Sequence, residues 1–278
     1  MKKLYFLLIC FVVVCISCSS DSSSDSLNPN LLQRVDFYPG TTYERRWNFN
    51  EDGLLTSITK ADGTVVENFT YDSLNRLISS TAVSNTGTTE THTFTYDSND
   101  FVTTLDGVTI NYDSSLDAYY TGDLNTAYRL TKLNNDKLLI DGKSVVIDND
   151  ESGISESQWL QMSVNYSNNN IVSYFPYYEN CNYLSYDDKV NPLQNATRII
   201  SKPFSFVAGS RWAFNELVSA NNALTHDYCS EDPESSIYHY TYNSNNLPIT
   251  QTRDDYYNGV YENTISAAKY YYQGDVIP

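Results

Sequence analysis

An acidic stretch in the middle of the chain has the residue types and spacing of half a calcium-binding loop. Asp148, Asp150 and Ser152 place oxygen ligands at alternate positions, and Gly153 follows where such loops turn sharply. The loop's last position would be Trp159, where a calcium loop needs a bidentate glutamate. The sequence therefore favours an acidic turn between strands, keeps calcium as the weaker alternative, and predicts no metal or other cofactor.

The other residues able to do chemistry form no recognisable catalytic motif. The three histidines, His92, His226 and His239, lack the short spacing of metal ligands. No pattern of a serine hydrolase, a P-loop or a dinucleotide-binding enzyme occurs. A pair of carboxylates for glycoside hydrolysis stays open, because such pairs form in space and not in sequence. We predict no catalytic residue, and a non-enzymatic protein is favoured over an enzyme.

Two cysteines are left in the body of the chain once the N-terminal three are set aside. Cys181 and Cys229 form an even pair, which predicts a disulfide if the protein is exported to an oxidising compartment. Closing a loop of this length would stabilise the fold by about 4 kcal/mol in the chain-entropy model. Two separate buried thiols are the alternative, because the sequence does not show how close the two residues come.

The N-terminal segment has the ordered features of a lipoprotein signal. Lys2 and Lys3 precede an apolar stretch, Leu4–Val14, that is too short to span a bilayer. Ser17 and Cys18 then resemble the end of a bacterial lipobox, in which the cysteine is acylated, for example with palmitate. Residues 1–17 are therefore predicted to be a signal peptide. An uncleaved anchor or an ordinary secreted protein is the alternative.

A Ser/Asp-rich tract follows Cys18, and residues 18–34 are predicted to be a flexible tether. Its acidic start resembles the surface-export tag of Bacteroidota lipoproteins. Several acyl chains would hold the protein on a membrane, since each buried methylene adds about 0.8 kcal/mol. We therefore expect a lipid-anchored outer-membrane protein at the cell surface, with the periplasmic face as the alternative.

Composition narrows the class of protein further. The chain has 278 residues, 34 acidic and 17 basic, and a formal charge of −17. Such a chain repels phosphate backbones, so nucleic acid is excluded as an expected partner. With 41% hydrophobic and 14% aromatic residues it is too apolar for a disordered protein.

An internal repeat predicts the architecture. Five segments start on an aromatic residue, at Phe49, Tyr71, Tyr96, Tyr166 and Tyr242, and weaker copies begin at Tyr112, Tyr186 and Tyr272. The next residue can accept a hydrogen bond from a backbone N–H two residues on: Asn50, Asp72, Asp97, Ser167 and Asn243. The fourth residue after the aromatic tolerates positive φ: Gly53, Asn75, Asp100, Asn170 and Asn246. Each segment is thus predicted to be a four- or five-residue hairpin loop between two strands.

The strands that lead into these loops alternate between apolar and polar residues. Phe69 and Tyr71, for instance, oppose Asn68 and Thr70, which predicts half-buried antiparallel strands with one face wetted by Thr, Ser and Asn. Ser210 can cap a short helix, so one helical insertion is expected near 209–220. We predict a mainly all-β fold, with residues 35–278 as one domain of consecutive antiparallel hairpins in an elongated or curled sheet.

The aromatic-Thr-Tyr-Asp-x-x-Asn-x-Leu pattern, seen in Phe69–Leu77 and Phe94–Val102, resembles the YD repeat of Rhs-type shell proteins. With the lipobox, the tether and the late segment Tyr186–Leu193, the chain resembles YD-repeat lipoproteins of Bacteroidota, which carry domains of unknown function. The resemblance covers most of residues 43–278. It implies consecutive hairpins wrapped into a large sheet, and with so few repeats an open, curled sheet. It implies no catalytic residues.

The 25 tyrosines include neighbours that must point to opposite faces of a strand, at Tyr119-Tyr120, Tyr177-Tyr178, Tyr256-Tyr257 and Tyr270-Tyr271-Tyr272. Exposed rings beside Asn and Asp favour a glycan or protein partner. Cross-strand aromatic packing in a single-layer sheet is the alternative. The sequence therefore predicts a non-enzymatic, membrane-anchored protein that binds a glycan or a surface protein through its sheet. A purely structural lipoprotein and an extracellular glycoside-active enzyme are the other hypotheses.

Overall fold

The computed structural model describes residues 28–84, 86–98, 100, 102–113, 118–121, 128–134, 137–143, 159–168, 170–176, 184–194, 196, 219–228 and 234–278. Within them the protein is all-β and contains no helix, hence none that could cross a membrane. The strands are β1 (Leu32–Phe37), β2 (Arg45–Phe49), β3 (Leu55–Lys60), β4 (Val65–Tyr71), β5 (Leu77–Val83), β6 (Thr89–Tyr96), β7 (Val102–Leu105), β8 (Val108–Asp113) and β9 (Ala118–Thr121). They continue as β10 (Tyr128–Asn134), β11 (Lys137–Lys143), β12 (Trp159–Ser167), β13 (Asn170–Pro176), β14 (Leu184–Val190), β15 (Asn221–Tyr228), β16 (Glu234–Tyr242), β17 (Pro248–Tyr257) and β18 (Val260–Tyr272).

The strands form one open antiparallel sheet built almost wholly from sequential neighbours. From β1 to β13 each strand pairs with the next. The same holds from β14 to β18, and β18 pairs with β1. This confirms the predicted class of consecutive antiparallel hairpins. The helix expected near 209–220 lies outside the described residues, except Ser219 and Ala220, which lead into β15.

The repeat turns have the predicted backbone geometry. Gly53, Asn75, Asp100 and Asn246, each four residues after the repeat aromatic, have φ of +75°, +62°, +63° and +59°. The Asp72 carboxylate accepts hydrogen bonds from the N–H groups of Leu74 and Arg76, both at 2.9 Å. Asn50 and Asn243 make the same pair of bonds in their own turns. The local sequence alone therefore determines these loops.

The copy at Tyr166 departs from the prediction. Its turn is shorter, since Ser167 already pairs with Asn170, and positive φ falls on Asn168 at +50°. Asn170, predicted to adopt positive φ, is instead the first residue of β13. Its side chain bonds Asn221 at the start of β15, with Nδ2 donating to Oδ1 at 2.9 Å. Asn170 thus has a long-range role that overrides the local pattern.

The sheet is curled, as the path of the chain after β14 shows. Ala196 lies six residues beyond the end of β14 and can reach at most ~20 Å, yet its carbonyl accepts a hydrogen bond from the Leu55 N–H of β3 at 2.8 Å. In a flat sheet β14 and β3 would be seven strand spacings apart, about 34 Å. The sheet must therefore bend round the segment after β14, whose Leu193 and Ala196 fill the interior and are exposed by 1% and 3%.

The hydrophobic core lies on the concave side of this curl. The residue six positions after each repeat aromatic begins the return strand and is fully enclosed, as Leu55, Leu77 and Val102 show. Around them pack the aromatic residues of the incoming strands and of β18, namely Trp47, Phe49, Phe69, Phe94, Tyr270 and Tyr272. The predicted apolar face of the alternating strands is therefore confirmed for the described repeats.

Tyrosine hydroxyls tie each repeat to an earlier one. Tyr71 donates to the carbonyl of Leu55 at 2.6 Å, and Tyr96 donates to the carbonyl of Leu77 at 2.7 Å. Tyr272, in a weaker copy, donates to the carbonyl of Pro248 at 2.8 Å. In all three cases the acceptor is the sixth residue after an earlier repeat aromatic. The repeat tyrosine thus serves both as core and as a hydrogen-bond link between hairpins.

Replacing Tyr71 or Tyr96 by phenylalanine should lower the free energy of unfolding by about 1 kcal/mol each. The ring and its packing stay, and only the hydrogen bond to a buried carbonyl is lost. Tyr43→Phe is the matched control, since Tyr43 is 74% exposed and should leave stability within about 0.5 kcal/mol. Urea unfolding of the three variants checks this, and equal stabilities would contradict the linking role.

The described chain begins at the turn edge of the sheet, the edge that carries the repeat loops. The Asn28 N–H donates to Gln273 Oε1 at 3.1 Å, and the Gln273 N–H donates to the Leu31 carbonyl at 3.0 Å. β1 begins at Leu32, slightly before residue 35, where the sequence placed the start of the domain. The chain therefore enters the fold beside β18.

Candidate functional site

The residues predicted from the sequence as candidate site residues lie outside the described part of the chain. These are the lipidation residue Cys18, the cysteines Cys181 and Cys229, and the calcium candidates Asp148, Asp150 and Ser152. Those predictions stay as predictions. In the described part, no group of three or more His, Cys, Asp or Glu side chains is arranged to hold a metal ion.

The convex face of the sheet is lined by hydroxyl groups that bond across the strands. Thr81 and Thr91 lie 3.0 Å apart, Thr95 and Thr104 2.6 Å, and Thr241 and Thr250 2.6 Å, each measured between side-chain oxygens. Pairs of this kind satisfy the hydroxyls and leave little apolar area. The convex face is therefore the predicted wetted face.

An aromatic cluster interrupts this hydroxyl face near the tip of the β17–β18 hairpin. We call Tyr256, Tyr261, His239, Asp254 and Thr264 the tyrosine patch. Tyr256 and Tyr261 are cross-strand partners whose rings meet edge to face, with centroids 5.8 Å apart and planes at 72°. Tyr261 is 52% exposed, so its ring is open to solvent.

Hydrogen bonds fix the polar side chains of the tyrosine patch. His239 Nε2 lies 2.9 Å from Asp254 Oδ2, the Thr264 hydroxyl donates to Asp254 Oδ1, and the Tyr261 hydroxyl lies 2.9 Å from that of Thr264. The hydrogen bonds from Thr264 and His239 lower the pKa of Asp254. When Nε2 donates to this carboxylate, His239 Nδ1 is a hydrogen-bond acceptor in the neutral ring. The patch thus combines open aromatic rings with oriented hydrogen-bonding groups.

The other tyrosine runs have different environments. Tyr270 and Tyr272 belong to the core, and Tyr271 is on the opposite face, as alternation predicts. Tyr271 is nevertheless buried, because Arg34 and Lys269 lie over its ring at 4.9 Å and 5.4 Å from the centroid. The rings of Tyr119-Tyr120 and the pair Tyr177-Tyr178 lie outside the described side chains.

A polar cluster stands on the concave face beneath β16 and β17. Arg253 forms a bidentate ion pair with Asp255, with Nε 2.7 Å from Oδ1 and Nη2 3.0 Å from Oδ2. The Ser236 hydroxyl donates to the same carboxylate at 2.9 Å. Burial and the nearby Arg253 lower the pKa of His226 to about 4, so this histidine is neutral in the folded protein. The charges of this cluster are paired, which fits a structural role.

A depression of about 310 Å³ opens between the far ends of β4, β5 and β6, and its lining includes Val66, Ala82 and Val83. Glu67, Ala82 and Glu90 stand in one cross-strand row beside it. Burial raises the pKa of Glu67 to about 7, against a smaller opposing effect of His92. The protonated form of this carboxyl therefore persists to higher pH than that of a solvated glutamate, the kind of perturbation that marks functional clefts.

His92 borders this depression, but its side-chain contacts give it a structural role. Its Nδ1 lies 2.8 Å from Asp106 Oδ2 in the β7–β8 turn, and its Nε2 lies 3.7 Å from Glu90. The same Asp106 accepts a hydrogen bond from the Thr93 N–H at 2.7 Å. The sequence pattern showed no metal-ligand spacing around His92. It did not single out Glu67, although the alternation Glu67-Phe69-Tyr71 puts a charged residue in line with core aromatics.

Comparison with known proteins finds a repeat family in part of the chain and a distant structural likeness. Residues 49–90 match the family model of the RHS repeat, which spans the Phe49 and Tyr71 copies. The fold is similar to a porin-like protein from Bacteroides uniformis with a TM-score of 0.36 and 12% identity, over 88% of this chain and 98% of that one. A search of the curated proteins finds no match. The chain is therefore a β-sheet protein with an RHS repeat in residues 49–90.

Proposed function

We propose that this protein is a lipid-anchored protein of the cell surface that binds a glycan through the tyrosine patch. The observation that carries the proposal is the exposed, hydrogen-bonded aromatic cluster on a face otherwise covered by paired hydroxyls. Acylation of Cys18 would supply the anchor, and residues 18–27 would link it to the sheet.

The chemistry of the tyrosine patch suits a sugar. The apolar C–H faces of a pyranose ring pack on tyrosine rings, which offer apolar area at little cost in side-chain entropy. His239 Nδ1 can accept a hydrogen bond from a sugar hydroxyl, and the tyrosine hydroxyls can donate or accept. Both oxygens of Asp254 are engaged by His239 and Thr264, so the carboxylate is held within the patch, and recognition of a glycan falls to the tyrosine rings and the remaining hydrogen-bonding groups.

The position of the patch supports display away from a membrane. β18 runs Val260–Tyr272, from the hairpin tip beside the patch to the turn edge, where Asn28 enters the fold. Its 13 residues span about 43 Å. A chain anchored at Cys18 would therefore hold the turn edge towards the membrane and the patch towards the surroundings.

Thermal unfolding of the full-length protein with a panel of neutral polysaccharides tests the binding. A glycan at 100 times its Kd should stabilise the protein by about 2.7 kcal/mol, and Tyr261→Ala should remove the shift. Tyr43→Ala removes a more exposed ring at another place, 74% against 52% for Tyr261, and should keep the shift. No shift with any glycan would overturn the proposal and favour a protein partner or a structural role. Membrane flotation of wild type and Cys18→Ser tests the anchor separately.

A further inference from the structure

The two rings of the tyrosine patch stand at one end of a row of side chains that crosses four strands. Strand pairing aligns this row, which we call the convex row, in the order Tyr261, Tyr256, Ser235 and Asp227, on β18, β17, β16 and β15. It lies on the convex face, because Ser235 precedes Ser236, whose hydroxyl bonds Asp255 on the concave face. Three strand spacings make the row about 14 Å long, so it is longer than one pyranose ring.

The polar half of the convex row carries unused hydrogen-bonding groups. Among the residues that the structure describes, no hydrogen bond or ion pair engages the Asp227 carboxylate or the Ser235 hydroxyl. The threonine hydroxyls described above, by contrast, are paired across the strands. Ile237 lies two residues from Ser235 on the same face and is 36% exposed, so it adds apolar area beside the rings. Aromatic, apolar and free polar groups thus lie side by side.

The free groups define the chemistry of a ligand. An ionised carboxylate only accepts hydrogen bonds and has two oxygens to do so, so Asp227 can take both hydroxyls of a vicinal diol. Hydrogen bonds to a charged acceptor are stronger than neutral ones. The same charge repels uronic acids and sulfated sugars. A ligand that packs on the rings and reaches Asp227 is therefore a neutral glycan of more than one sugar unit.

The shape of the surface selects the kind of glycan chain. The convex row lies on the outside of a curled sheet, so it offers a contact line and not a groove. A β-linked chain such as a cello-oligosaccharide is an extended ribbon whose rings follow one another in line. An α-linked chain such as a malto-oligosaccharide winds into a helix. The ribbon can contact the rings and Asp227 at the same time, whereas the helix turns away from the surface after a short contact.

We propose that the convex row binds an extended, neutral, β-linked glycan laid across the strands. This inference rests on the proposed function and names the class of glycan that the tyrosine patch takes. One sugar ring packs its C–H face on Tyr256 and Tyr261. The hydroxyls of the following unit reach Ser235 and Asp227, with the vicinal diol on the carboxylate.

Titration calorimetry of the full-length protein with glucose, cellotetraose and maltotetraose tests the inference. We expect cellotetraose to bind about tenfold or more tightly than either of the others, because only it adds hydrogen bonds to a charged group. Asp227→Ala should remove most of this gain, and Ser235→Ala should remove part of it. Glu234→Ala is the matched control, since Glu234 is an exposed acid next to Ser235 that points to the other face by strand alternation. It should keep the whole gain.

The outcomes distinguish this inference from the proposed function. Cellotetraose that binds no more tightly than glucose, or not at all, would overturn the extended β-linked ligand, and equal binding of maltotetraose would overturn the ribbon shape. A gain that survives both Asp227→Ala and Ser235→Ala would overturn the role of the polar half. In each of these cases the proposed function stands if a polysaccharide of the panel shifts thermal unfolding and Tyr261→Ala removes that shift. No shift with any polysaccharide would overturn both.

Discussion

Replacing Leu77 by alanine is expected to lower the free energy of unfolding by about 2–5 kcal/mol. Leu77 is 0% exposed and sits six residues after Tyr71, where the return strand starts. Its side chain is enclosed on the concave face, and its carbonyl accepts the hydroxyl of Tyr96 at 2.7 Å. The substitution removes buried methyl groups and leaves a cavity between two repeats. Urea unfolding of the variant measures the loss.

Leu74 provides a matched control within the same loop. It lies three residues before Leu77 and is 65% exposed, so Leu74→Ala should change stability by less than about 0.5 kcal/mol. Both variants delete the same atoms from the same hairpin, and only burial differs. Equal losses would contradict the assignment of the sixth repeat position to the core.

Local chemistry made much of the fold predictable from the sequence. The side chain of Asp72 and the positive φ of Asn75 are properties of a few neighbouring residues, and strand alternation extends the pattern to the pairing of consecutive hairpins. The prediction of positive φ at Asn170 was wrong, because its side chain bonds Asn221, which is far away in the chain. The hydrogen bond between the Ala196 carbonyl and Leu55 of β3 was not predictable for the same reason.

The candidate sites depend even more on contacts between distant residues. The sequence pattern marked Tyr256 as one of a tyrosine pair and His239 as one of three histidines, but it could not join them through Asp254 and Thr264. Glu67 was missed because the predicted strands start later, at the run of alternating aromatics. A charged residue in phase with Phe69 and Tyr71 was the available signal.

Stability should fall as the pH rises through neutrality, and Glu67 should be responsible. Burial raises its pKa from 4.5 to about 7 in the folded protein, so the folded state binds this proton more tightly than the unfolded chain does. The contribution is fully present below pH 4.5 and is lost as the pH rises through about 7. One pKa unit corresponds to about 1.4 kcal/mol, and partial exposure of the group reduces the total to about 1–3 kcal/mol.

Glu67→Gln removes the titrating group while keeping its shape. Relative to wild type, the variant should therefore gain about 1–3 kcal/mol of stability between pH 4 and pH 8, as measured by urea unfolding across that range. Glu90→Gln is the control on the same depression, because the Glu90 side chain is 78% exposed and should leave the wild-type profile within about 0.5 kcal/mol. Parallel profiles for wild type and Glu67→Gln would show that the carboxyl is well solvated or paired. A divergence would show a carboxyl whose ionisation weakens the fold at neutral pH.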